Sequence, residues 1–193
     1  MEKLTFWWEM AADSVDFAPG VMVQASRKNV DVGGRASPCV VDWNEDGKKD
    51  LVLGKGSGEI FLYLNEGANE QPVFGKPIKL NGGSLDVGSN SSPDIADWNG
   101  DGKEDLIIGN DNGEILVFLN KGTNEDPQFD SKGDKLPVKF GQDASPRVIS
   151  WGRGGSNDMV VADRNGEVTI STNVGGSQAT VFLEKKVLRV GKR

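Results

Sequence analysis

The chain has 193 residues, a net charge of −7 and no histidine. The acidic balance argues against nucleic acid as a partner, and no run approaches the roughly 18 apolar residues of a membrane span. Without histidine, the commonest general base and most zinc and haem ligation are lost, and the single cysteine, Cys39, can close no internal disulfide.

In chain order, the start Met-Glu-Lys-Leu-Thr-Phe-Trp-Trp lacks the basic, longer apolar pattern of a signal peptide. The segment Leu4 to Gly33 reads as the second half of a unit that recurs later: Leu4-Thr-Phe-Trp-Trp aligns with Ile60-Phe-Leu-Tyr-Leu, and Val32-Gly33 with Val87-Gly88. Trp7 and Trp8 are adjacent on an expected strand, so they face opposite ways, and one of them is a candidate exposed contact. The next unit opens at Ala36-Ser37-Pro38 and supplies three apolar runs: Cys39-Val-Val, Asp50-Leu-Val-Leu and Glu59-Ile-Phe-Leu-Tyr-Leu. A weaker run, Ile78 to Val87, is read as a fourth strand, and Gly, Asn and Asp clusters punctuate all four.

The unit then repeats. Ser91-Ser92-Pro93 through Phe129 follows Ala36-Ser37-Pro38 through Phe74 almost column for column, and Ala144-Ser145-Pro146 opens a third, degenerate copy. The expected division is a half blade at 1–35, repeats at 36–90 and 91–143, and the degenerate repeat at 144–193. Four short antiparallel strands per unit of about 50 residues is the pattern of a propeller blade. The fold class is therefore read as all-β, with about three and a half β-propeller blades, either part of a longer propeller or completed by a partner chain or second copy. A β-solenoid and a β-sandwich are the alternatives.

Two segments carry the chemistry. Asp42-Trp-Asn44-Glu-Asp46-Gly47-Lys48-Lys-Asp50 and Asp97-Trp-Asn99-Gly-Asp101-Gly102-Lys103-Glu-Asp105 place side-chain oxygens at loop positions 1, 3, 5 and 9, with Gly at position 6. Gly at position 6 permits the sharp turn that lets the position-7 carbonyl, of Lys48 or Lys103, point inward, while the lysine side chains are expected to face solvent. Three carboxylates, an amide oxygen and a carbonyl form a hard oxygen set, so the expected cofactor is Ca²⁺ at two sites. Magnesium fits such a flexible set less well, and transition metals prefer nitrogen or sulfur. An EF-hand is excluded because position 12 is Leu53 or Ile108 and the flanks read as strands. In the third copy Ser150, Gly152 and Gly154 replace the acidic positions, and no metal is expected there. Trp43, Trp98 and Trp151 share one column and are expected to pack between strands or blades.

These two segments, each preceded by Val-Gly and followed by Gly-Glu-Ile, resemble the FG-GAP/VCBS repeat, which builds the seven-bladed propeller of integrin α-subunits and of many secreted proteins. The resemblance implies that each metal loop joins the first two strands of a blade. It further implies a non-catalytic, calcium-stabilised interaction module, secreted or otherwise extracytoplasmic, with a protein partner. A carbohydrate-binding propeller using Trp7, Trp8, Tyr63 and the loop acids is the alternative, and a subunit of a polysaccharide-degrading or redox enzyme is less favoured.

Overall fold

The computed structural model describes residues 20–83, 85–150, 157–173 and, for the backbone alone, 182–187. Trp7, Trp8, Trp151 and the altered turn at 152–155 lie outside the described residues. A short hairpin, β1 (Gln24–Ala25) and β2 (Lys28–Asn29), precedes three four-stranded antiparallel sheets. Blade 1 contains β3 (Ser37–Val41), β4 (Asp50–Gly54), β5 (Ile60–Tyr63) and β6 (Ile78–Lys79). Blade 2 contains β7 (Ser92–Ala96), β8 (Asp105–Gly109), β9 (Ile115–Phe118) and β10 (Asp134–Lys135). Blade 3 contains β11 (Ser145–Ile149), β12 (Asp158–Ala162), β13 (Val168–Asn173) and β14 (Phe182–Val187). Among the described residues there is no α-helix, and each sheet runs in chain order from first strand to fourth, as β-propeller blades do.

The second strands of blades 1 and 2 are buried along their whole length, because each is covered on both faces. Leu51 and Leu53 face the N-terminal hairpin region with Ala25 and Val32, whereas Val52 faces blade 2 with Trp43, Leu62, Leu106 and Ile108. Ile107 and Val117 of blade 2 pack with Trp98 against Met159 and Val161 of blade 3. Trp43 and Trp98 are thus seam residues, 1% and 6% exposed, as the shared column suggests.

The fourth strand is shorter than expected. In blade 1 only Ile78 and Lys79 pair, and a 3-10 turn, Leu80–Gly83, follows at once. Asn81 and Gly83 adopt left-handed φ values of 50° and 80°, which end an extended strand. Leu80 and Val87 turn into the core instead.

Close approach between blades dictates two glycines. A Cβ on Gly54 would lie 2.1 Å from the Ser91 carbonyl oxygen of blade 2, and one on Gly109 would lie 2.0 Å from that of Ala144 in blade 3. The matching position of blade 3 is Ala162, which is exposed.

The first strands of the three blades lie side by side and are joined by polar rungs between equivalent positions. The Ser37 and Ser92 hydroxyls are 3.0 Å apart, and those of Ser92 and Ser145 are 2.9 Å apart. At the strand entrance Arg35 and Asn90 both donate to Asp143, at 3.2 and 2.9 Å. One rung further in, the Asp94 carboxylate accepts the Val148 amide of blade 3 and faces the Cys39 thiol of blade 1. Burial, followed by the Asp94 charge, pushes the Cys39 thiol up to about 11, so it stays protonated and unreactive at neutral pH.

Candidate metal centre

Each nine-residue loop joins the first strand of a blade to the second, β3 to β4 and β7 to β8. Gly47 and Gly102 have φ values of 81° and 82°, and a Cβ on either would meet nothing within 4 Å. Backbone conformation alone therefore selects glycine there. Position 4 is also left-handed, at Glu45 (58°) and Gly100 (78°), so both loops coil in the same way.

Inside the first loop Asp42 Oδ2 accepts the Gly47 amide at 3.0 Å, and Asp46 Oδ1 accepts the Lys48 amide at 2.9 Å. That amide, first among the causes, holds the Asp46 carboxyl below its ordinary value. Asp42 Oδ1 and Asn44 Oδ1 are buried and have no hydrogen-bond partner. Two acceptor oxygens from positions 1 and 3 are thus withdrawn from water with nothing to receive, an arrangement that suits a hard cation.

The second loop has the same donor set but satisfies more of it internally. Asp97 Oδ1 accepts the Gly100 and Asp101 amides, and its Oδ2 accepts that of Gly102. Asn99 Oδ1 accepts the Asp101 amide and its Nδ2 donates to Asp101 Oδ2. Glycine at position 4, where the first loop has Glu45, accompanies this closer wrapping.

Position 9 behaves differently from the other acids. Asp50 receives the Trp43 amide on Oδ2 at 2.9 Å and the Asn65 amide on Oδ1 at 2.8 Å. Asp105 repeats this with Trp98 at 2.9 Å and Asn120 at 2.7 Å. Both are buried, and burial, the leading cause, raises their pKa against the opposing pull of those amides. Asp158, in the blade without the other acids, accepts the Asn173 amide at 2.8 Å in the same way. The position-9 carboxylate is therefore a structural pin that ties the loop to the end of the third strand. A carboxylate oxygen has lone pairs enough to accept an amide and also face a cation.

Among the described residues no three acidic side chains stand grouped closely enough to hold a metal ion between them. The lysines also depart from expectation. Lys48 Nζ lies 3.5 Å from Asp46 Oδ2, and Lys103 Nζ lies 3.5 Å from Asp101 Oδ2, so both fold back over position 5 instead of pointing into solvent.

The two loops share one electrostatic field. Glu104 is raised to about 7, first by burial and then by the carboxylates of Asp97, Glu45, Asp105 and Asp42, which come from both loops. A side chain not singled out from sequence, Asn124, spans the same gap. Its Oδ1 accepts the Glu104 amide at 2.8 Å and its Nδ2 donates to Glu45 Oε1 at 3.0 Å. The Asn-Glu pair recurring at 69–70 and 124–125 was the available signal, but only contact across the blade seam reveals its reach. Other recurrent acids have local explanations: Glu59 and Glu114, of the Gly-Glu-Ile motif, pair with Lys79 and Lys135 of the fourth strands. Among the described residues, Tyr63 is buried and the Trp43 indole donates to the Asn124 carbonyl at 2.8 Å, so neither ring is open for stacking on a sugar.

Residues 42–108, which span both loops and the sheet between them, match the FG-GAP-like repeat family. Over 168 residues the chain is 26% identical to integrin alpha-6 of Homo sapiens and 24% identical to integrin alpha-6 of Gallus gallus. Each alignment covers 80% of this chain and 14% of the relative, so the chain spans about a seventh of the length of the curated relatives it matches. No solved structure matches. The matched stretch ends at Ile108, within β8, and blade 3 continues the same sheet order beyond it.

Proposed function

We propose that the chain is a calcium-stabilised, non-catalytic propeller module that binds another protein, with the half blade at 1–35 and repeats at 36–90, 91–143 and 144–193. The first Ca²⁺ is held by Asp42, Asn44, Asp46, the Lys48 carbonyl and Asp50, and the second by Asp97, Asn99, Asp101, the Lys103 carbonyl and Asp105. The observation that supports this most strongly is the pair of buried, unpartnered oxygens on Asp42 and Asn44. Binding requires Lys48 and Lys103 to release their position-5 carboxylates, which are surface pairs of small energy. The ion clamps a loop whose acids otherwise repel one another, and so stabilises the native chain by mass action.

A protein partner is supported by the likeness to integrin alpha-6. It is also supported by Val21 and Met22, 78% and 67% exposed, which line one cleft with Val23 and Pro38 beside blade 1. Extracytoplasmic placement is supported by the same likeness. Thermal melting tests the metal role directly. At millimolar Ca²⁺ the midpoint is expected to lie several degrees above that in excess EGTA, with Mg²⁺ giving a smaller rise. Identical midpoints in all three conditions would remove the proposal.

A further inference from the structure

The two loops belong to neighbouring blades, and one side chain holds both. Asn69 and Asn124 occupy equivalent positions after the third strand of blades 1 and 2. Asn69 keeps both arms in its own blade, accepting the Lys49 amide at 2.7 Å and donating to the Gly47 carbonyl at 3.0 Å. Asn124 accepts the equivalent amide, of Glu104, but sends its other arm across the seam to Glu45 of the first loop. Its backbone carbonyl also receives the Trp43 indole N–H at 2.8 Å. Trp43 and Glu45 flank Asn44, which carries one of the unpartnered oxygens, while Glu104 lies between Lys103 and Asp105. Glu45 takes up its left-handed φ of 58° without the freedom of the glycine at the matching position 100.

We propose that Asn124 couples cation binding at the two loops, so that filling either one raises the affinity of the other. This rests on the reading that both loops hold Ca²⁺. Filling the second loop fixes the Lys103 carbonyl and Asp105, and with them the Glu104 amide and Asn124. Asn124 in turn fixes Glu45 and Trp43 on both sides of Asn44, so the first loop enters its own binding step already ordered. The effect is reciprocal by linkage. Repulsion between the two ions opposes this ordering and weakens as salt is raised.

The test is a calcium titration by isothermal calorimetry on the whole chain. Asp42→Ala leaves the second loop alone and Asp97→Ala leaves the first, which gives the two single-site constants. In the otherwise unaltered chain the product of the two stepwise association constants is expected to exceed the product of the single-site constants at least about fivefold, the lower end of typical coupling. Asn124→Ala is expected to bring that ratio to within twofold of one. Glu45→Gly removes the side-chain arm across the seam, leaves the Trp43 indole bond to the Asn124 carbonyl and suits the left-handed backbone, so it is expected to lower the ratio even if Asn124→Ala folds poorly. Asn69→Ala is expected to leave the ratio unchanged. A ratio near one in the unaltered chain, or a ratio undiminished in Glu45→Gly, overturns the coupling while leaving calcium binding intact. Absence of any calcium heat in the unaltered chain overturns the underlying reading and the coupling with it.

Discussion

Asp105→Ala is expected to destabilise the chain by about 3–5 kcal/mol and to abolish calcium binding at the second loop. Asp158→Ala is expected to destabilise it with no change in calcium stoichiometry. The first figure follows from two charge-assisted hydrogen bonds, to the Trp98 and Asn120 amides, lost together at a site with no exposure. Removing the carboxylate also leaves both buried donors unpaired, which is why the effect exceeds that of a surface acid. Asp158 makes the equivalent bond to the Asn173 amide, in a blade where Ser150, Gly152 and Gly154 stand at the acidic loop positions. The pair of variants therefore separates pinning the loop, which position 9 does in all three blades, from the cation contact proposed for it in blades 1 and 2. Urea unfolding with and without EGTA reads both. If Asp158→Ala were as stable as the parent chain, the pin would be an incidental contact.

Gly109→Ala is expected to open the seam between blades 2 and 3 and to lower stability by about 3 kcal/mol, at the upper end of ordinary overpacking. The added methyl would lie 2.0 Å from the Ala144 carbonyl oxygen and 2.8 Å from a Pro146 ring carbon, and neither belongs to a flexible side-chain end that could step aside. Separation of the sheets also exposes the cluster of Trp98, Ile107, Val117 and Met159. A rise in Trp98 solvent accessibility, read by fluorescence quenching, should accompany the loss. Ala162→Gly, at the equivalent exposed position of blade 3, is the control and is expected to change stability by less than about 1 kcal/mol, the intrinsic difference between the two residues in a strand. Equal effects at the two positions would contradict the close-approach explanation.

Much of this arrangement was legible in the sequence, because the legible part is set by local chemistry. Oxygen-bearing residues at alternate positions followed by Gly47 or Gly102 specify one kind of turn wherever they occur. The recurrence of Ser-Pro, Asp-Trp-Asn and Gly-Glu-Ile gives the blade length and strand order, and the tryptophan column marks the seams. What was hidden depends on distance across the seams. Arg35, Asn90 and Asp143 share a backbone conformation and a position but no chemistry, so no pattern announces that they meet. The same holds for Cys39, Asp94 and Arg147. Asn124 looks like Asn69 in sequence, and the difference between them is a neighbouring loop. The fourth strand is shorter than its apolar run suggests because Leu80 and Val87 are apolar for core packing, while Asn81 and Gly83 depart from extended backbone between them. That Asp50 and Asp105 each accept two amides is invisible in sequence, where such a carboxylate looks like any other acid of the turn.

Equilibrium dialysis against ⁴⁵Ca²⁺, on the intact chain and on the double variant Asp42→Ala/Asp97→Ala, tests the central claim most directly. The account predicts two ions bound per chain in the parent protein and none in the variant. Fewer than two ions on the parent, or retention of both by the variant, would contradict it.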